Sequence, residues 1–474
     1  MTQDQNPVIY LRSLPAIRER CNRVFELAQE GKLEYFEWVP EKEQDVVEYC
    51  KKIVQVSSVE SHFASAHVHQ LTFRTIPVAR FWVELWTAHG RRNHFTTPLP
   101  TPIDRIALLR AATSFPSDKH EATRSLIDLY IVSVLLDAGA GNKWTYEEVQ
   151  VPIGPDAQGK SGKTGWQGGR SEGLAVASFW MFVAGVFSKH GSSDPFRVDA
   201  EALVKLTVSD LAKHLQVTDD NPMDGLKGRA GLLSALGKAL LAKPEFYKSG
   251  RPGEMLDYLK ATASTSEGTT TIRIEPLWQL LLATLAPVWP ARLTLNGEPL
   301  GDVWPCHALA ASLDQQGISR TEGDDFVPFH KLSQWLCYSL IQPMEEVAGW
   351  KVEGWKTLMT GLPEYRNGGL LLDLGLLKLK SSTPAKVPIN ASTGLPRLRP
   401  DHPVIIEWRA MTVVVLDRIA EGVRDALGLG GDHLSLAQVL EAATWKGGRE
   451  IAMQKRKESG GGPPIEIESD GTVF

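Results

Sequence analysis

The sequence predicts a mainly α-helical fold in a single large domain with a few short strands. Three observations carry this. Apolar residues recur at helical spacing through most of the chain, and the stretches end at capping residues or glycine. Strand signals are few. No change of composition divides the 474 residues into unlike parts.

Leu14–Gly31 has Ser13 as N-cap, Pro15 in the first turn and Gly31 past the end, with Ile17, Cys21, Val24, Phe25, Leu27 and Ala28 along one face. Ile106–Ala112 and Ala122–Leu136 read as helices, the second ending at Asp137-Ala-Gly-Ala-Gly141. Leu174–Phe187 is apolar on all sides, the mark of a buried helix. Thr207 caps Val208–Leu215, and Leu226–Leu241, Leu277–Leu285, Leu332–Leu340 and Val404–Leu427 follow. Strands are expected at Arg292–Leu295, before the turn Asn296-Gly297, and at Ile465–Ile467. Residues 150–170, with the low-complexity stretch Gly154–Gly169, read as a mobile Gly-rich loop. Residues 262–271 read as a Ser/Thr-rich surface loop, and Gly460–Pro464 as another loop.

Composition excludes several classes. With 51 Lys+Arg against 56 Asp+Glu the chain lacks the basic excess of a nucleic-acid binder. A 43% hydrophobic content is too high for a disordered chain. No secretory signal and no span of about 18 apolar residues is present. Cys21, Cys50, Cys306 and Cys337 form no CxxC pair, so neither zinc nor a disulfide framework is indicated. The expectation is a soluble, cytoplasmic protein, with no metal ligands or cofactor indicated and a metal requirement left open.

Several motifs match chemistry by letters alone. Gly154–Ser161 fits the phosphate-loop pattern, but the glycines that follow, Gly162, Gly165, Gly168 and Gly169, cannot open the helix such a loop requires. Gly169-Arg-Ser171-Glu-Gly173 fits a nucleophile elbow, which needs a strand before it where the sequence reads as loop. His62, His67 and His69 lack an acidic or Cys ligand to complete a metal site. His89–His94 is a basic patch sized for one phosphate or for a solvated turn. Asp219 and Asp220 precede Asn221-Pro222 as in an ordinary helix-end turn.

The C-terminal half is richer. Trp304-Pro-Cys-His307 is followed by Val327-Pro-Phe-His330-Lys331-Leu-Ser-Gln-Trp335 and Thr360-Gly-Leu-Pro-Glu364-Tyr365-Arg366-Asn367-Gly-Gly369. A lysine beside an apolar helix is costly to bury unless paired, and pairing Lys331 with Glu364 satisfies both. Such a pair serves catalysis or only fixes the fold.

Val327–Trp335 and Thr360–Gly369, with Val132–Gly141, Arg170–Ser178 and the end Ser469–Phe474, resemble the uracil-catabolism protein family of fungi and bacteria, over about residues 14 to 474. Arg92 stands where that family has Trp, and Val78–Ala88 reads as an insertion. The resemblance implies a route in which uracil becomes a ribonucleotide, a cyclohydrolase-like enzyme opens the ring, and a ribosylurea species remains to be split. A more distant likeness is to the queuosine-salvage nucleoside hydrolases. It matches Leu174–Gly185, Leu206–Leu215, Lys331–Gln334 and Glu364–Arg366, with Glu in place of Asp, and implies a fold like the helical (helix-hairpin-helix type) DNA glycosylases.

The function expected is an N-ribosyl hydrolase that releases urea from ribosylurea or its 5′-phosphate. Glu364 would stabilise the oxocarbenium-like sugar and deprotonate water, with Lys331 orienting it. Asp137, Arg170, Glu172, His330, Tyr365 and Arg366 are the candidate substrate-binding residues. The partner is then a small molecule, neither a nucleic-acid polymer nor a membrane, with other enzymes of uracil catabolism as candidate protein partners. The competing expectations are a non-catalytic, nucleotide-binding partner in that pathway and a P-loop NTPase relying on Lys160.

Overall fold

A computed structural model describes residues 6–63, 105–137, 140–141, 143–154, 161–289, 293–383 and 387–468. The fold is mainly helical, with short two- and three-stranded pairings. The sequence reads as one domain; the described residues divide into two compact units. Residues 6–63, 293–334 and 356–468 form the first, and 105–289 and 335–355 the second. The helix Lys331–Glu346 begins in the first unit and ends in the second.

The first unit is organised around the helix Pro403–Leu427. His402 Nδ1 accepts from Val404 N at 3.2 Å, Pro403 sits where an N–H would go unpaired, and Gly428 ends the helix at φ +66. Every residue from Val404 to Leu416 is buried, so its charged members must find partners inside the protein. Glu407 takes two main-chain N–H groups, from Glu34 at 2.9 Å and Tyr35 at 3.0 Å. These bonds fix the entry to strand Phe36–Trp38, which pairs antiparallel with Leu377–Leu379. Helices Leu14–Gln29 and Glu43–Phe63 pack against this central helix.

Three smaller pairings complete the unit. Thr294–Leu295 meets Glu298–Pro299 across Asn296 and Gly297, both left-handed at φ 52 and 79, as a two-residue hairpin of type I′ requires. Val303–Pro305 runs antiparallel to Phe326–Pro328, and Arg397–Leu398 parallel to Glu466–Ile467. The helix Tyr365–Asp373 packs on the helix Lys446–Lys455, which follows a π-helical turn at Leu440–Trp445. The approach is so close that a side chain at Gly448 would collide with the Arg366 carbonyl.

The second unit is built on the buried helix Lys119–Leu136, capped by Asp118, which accepts from Glu121 N at 2.9 Å. Helices Arg170–Val183 and Leu226–Leu241 pack on it. Two loop expectations are corrected here. Residues 162–169 are a strand, antiparallel to Thr145–Gln150, so only part of the 150–170 stretch connects elements. Glycine has poor strand propensity, but the partner strand supplies the hydrogen bonds. In place of a loop at 262–271, Ser264–Ser266 and Thr269–Arg273 form a hairpin, and Lys351–Glu353 adds a parallel third strand. Among the described residues no helix is long and apolar enough to cross a membrane.

Candidate functional site

The sequence motif Thr360–Gly369 folds as an extended approach and a helix. Glu364 is the N-cap of Tyr365–Asp373, in extended conformation at φ −118 and ψ 167. Its carboxylate accepts from Arg366 N at 2.7 Å and from Asn367 N at 2.5 Å. Asn367 is itself held by Leu362 O at 3.0 Å and by the Thr444 hydroxyl at 2.8 Å. Glu364 is therefore fixed in orientation, yet it keeps partial solvent exposure. Burial raises its carboxyl above the ordinary range. The charge of Lys331, the two main-chain N–H groups and the charge of Arg366 pull it back down without cancelling the rise. Lys331 thus lies within electrostatic reach of Glu364. Lys331 is 8% exposed and begins its helix.

Around this pair stand two residues that the sequence reading missed. Arg409, on the central helix, grips Asp302 with Nη1 and Nη2, each at 2.7 Å. Asp302 also accepts from Trp304 Nε1 at 2.6 Å and from Lys331 N at 3.0 Å. Burial works to raise the Asp302 carboxyl. The Arg409 charge and these hydrogen bonds outweigh it and hold the group well below the usual carboxylate range. A signal existed: Glu407 and Arg409 interrupt an otherwise apolar run, and a buried charge demands a partner.

The other expected residues of this unit lie nearby but are differently engaged. His330 is 3% exposed and left-handed at φ 45, and Nε2 donates to Leu11 O at 2.9 Å. Burial lowers its pKa, against the raising effects of the Leu11 hydrogen bond and the Asp302 charge. Arg366 is 5% exposed and donates from Nη1 to Gly461 O at 2.7 Å, with its guanidinium over the Tyr365 ring. Tyr365 is partly exposed.

Asp137, Arg170 and Glu172 belong to the second unit. Asp137 caps Lys119–Leu136 and is buried. Its charge acts on Arg229, a fully buried residue that the sequence reading also missed and that donates from Nε to Leu136 O at 2.9 Å. Burial lowers the Arg229 pKa to about 10, against the opposing charges of Asp137 and Asp224. Arg170 and Glu172 stand partly exposed in the first turn of Arg170–Val183, and Arg170 is left-handed at φ 51.

The strand 162–169 runs directly into that helix, so the strand missing from the elbow reading is present. The left-handed residue is nevertheless Arg170, not Ser171, and no histidine among the described residues hydrogen-bonds Ser171. For the phosphate-loop match, the connection leads to a strand and not to a helix. Lys160, the basic patch 89–94, His67, His69 and the end 469–474 lie outside the described residues. All four cysteines are free and buried, and burial pushes Cys50 and Cys306 up to about 12.

The family model described as "protein of unknown function (DUF1688)" matches residues 10–474. The chain is 36% identical to uracil catabolism protein 4 of Lachancea kluyveri, over 100% of both chains. It is also 36% identical to the protein urg3 of Schizosaccharomyces pombe, over 98% of this chain and 99% of that one. A match over nearly the whole length, with relatives at this identity, means that the chain belongs to the DUF1688 family of uracil-catabolism proteins.

Proposed function

We propose that the protein acts in uracil catabolism as an N-ribosyl hydrolase, releasing urea from ribosylurea or its 5′-phosphate. The observation that carries this reading is Glu364. It is an oriented, largely desolvated carboxyl group that keeps partial exposure and couples to the charge of Lys331. Departure of urea builds positive charge at the sugar C1′. A carboxylate facing that carbon stabilises the charge and takes a proton from the attacking water. The main-chain N–H groups of Arg366 and Asn367 fix both oxygens in advance, so little reorganisation accompanies the reaction. Lys331 favours the ionised form needed for this role. The relatives' names support the pathway, and the resemblance of Lys331–Gln334 and Glu364–Arg366 to the motifs of queuosine-salvage nucleoside hydrolases suggests the reaction class.

The same capping bonds favour a second reading, in which Glu364 only starts a helix and the protein is a non-catalytic partner in the pathway. One experiment separates the two. Purified protein is incubated with synthetic ribosylurea, with and without a 5′-phosphate, and urea is assayed. Glu364→Gln is expected to abolish release while its circular dichroism stays native. Near-normal turnover by that variant would sink the catalytic assignment.

A further inference from the structure

We infer that the Asp302–Arg409 ion pair is the positioning element of the Lys331–Glu364 site: it fixes the backbone beside each of these residues and takes no part in bond making. The inference rests on the reading of Glu364 and Lys331 given above. On one side, Asp302 Oδ2 accepts from Lys331 N at 3.0 Å and so caps the helix that Lys331 opens. The Asp302 carbonyl accepts from Phe329 N at 2.9 Å and His330 N at 3.3 Å, which holds the left-handed turn leading into Lys331. On the other side, Arg409 Nε donates to Pro363 O at 3.4 Å, one residue before Glu364. The guanidinium also lies 4.1 Å from the centre of the Phe329 ring. One rigid fork therefore touches both strands of chain that carry the pair.

Asp302 has no capacity left for substrate. Two Arg409 bonds, the Trp304 indole and the Lys331 amide occupy the lone-pair positions of its two oxygens. Arg409 is 3% exposed, and a buried pair of this kind is weak evidence for stability on its own. What a planar, two-pronged guanidinium supplies that an ammonium does not is geometry. The site loses that geometry when the fork is replaced by a point charge.

The variants are Arg409→Lys and Asp302→Asn, each measured for urea release and for the titration of Glu364. The titration uses protein labelled with carbon-13 at the glutamate carboxyl, with the Glu364 signal identified by its loss in Glu364→Gln. Arg251→Lys, which disturbs the buried pair with Asp128 elsewhere, shows what a purely structural loss looks like. For both site variants kcat is expected to fall on the order of 10²-fold, the usual effect of misplacing a reacting group, with KM little changed. The Glu364 pKa is expected to rise as Lys331 loses its fixed place, whereas Arg251→Lys lowers Tm and leaves both readouts alone. Unchanged kcat and unchanged Glu364 titration in Arg409→Lys would overturn the inference. If wild-type protein releases no urea, the hydrolase reading fails by itself. The titration still decides the positioning role, because it needs no substrate.

Discussion

Glu407 is a carboxyl group whose burial outweighs what would keep it ionised. It is 1% exposed, and burial lifts its pKa to about 7 even though the Glu34 and Tyr35 amides bond to it and Lys380 lies within electrostatic reach. Because the folded value exceeds the unfolded one, folding favours the protonated form. No penalty exists at pH 4. It grows as pH rises above the unfolded pKa and levels off once pH passes about 7. A shift of this size is worth on the order of 3 kcal/mol at the plateau. Wild-type protein should therefore lose stability between pH 5 and 8, and Glu407→Gln should flatten that slope. Denaturant unfolding at a series of pH values checks this; equal slopes in both proteins would refute it. Glu407 and Arg409 also show why half of the candidate site escaped the sequence. Lys331 and Glu364 stood out in dense polar motifs, whereas Asp302 is an ordinary loop residue whose partner lies 107 positions away. Nothing local to Asp302 announces such a bond.

Helices with a sustained apolar period were legible at the scale of elements, and Leu226–Leu241 has the bounds its periodicity implies. The strand 162–169 was not, because its pairing comes from a partner across a loop and not from its own residues. What holds this hairpin is Glu148, at its bulge. Arg105 bonds both Glu148 oxygens, at 2.5 and 2.6 Å, and Trp180 Nε1 and Thr164 Oγ1 add bonds at 2.8 and 2.9 Å. Arg105 and Glu148 are fully buried. Glu148→Ala should cost about 3–5 kcal/mol, since it strands a buried guanidinium. Equilibrium unfolding measures this, and a loss below about 1 kcal/mol would show that water reaches Arg105. A second element-level prediction concerns the crossing of Tyr365–Asp373 with Lys446–Lys455. Gly448→Ala should cost about 1–3 kcal/mol through overpacking. It should also lower urea release, because the clash is with the first turn of the helix that Glu364 caps. Unchanged stability and turnover in that variant would mean the two helices separate at no cost.

The order of segments matters most for the whole molecule. Neither unit is continuous in sequence: the first needs residues from both ends of the chain, and the second borrows 335–355 from beyond its main stretch. That arrangement explains why composition showed no boundary, since each unit draws on distant parts of the sequence. It also makes a prediction about fragments. Residues 1–290 contain most of the second unit but lack strand Lys351–Glu353, the parallel partner of Thr269–Arg273. They also lack Gln342, which receives the Tyr130 hydroxyl at 3.5 Å, and Trp350, which packs beside His120. Within the same fragment, residues 6–63 lose the central helix Pro403–Leu427 that covers their apolar faces. Small cores stripped of a covering helix do not recover the chain entropy lost on folding. The 1–290 fragment alone should therefore show no cooperative thermal transition, while co-expression with 291–474 should restore one. A sharp transition in the isolated fragment would show that the second unit folds without its borrowed segment.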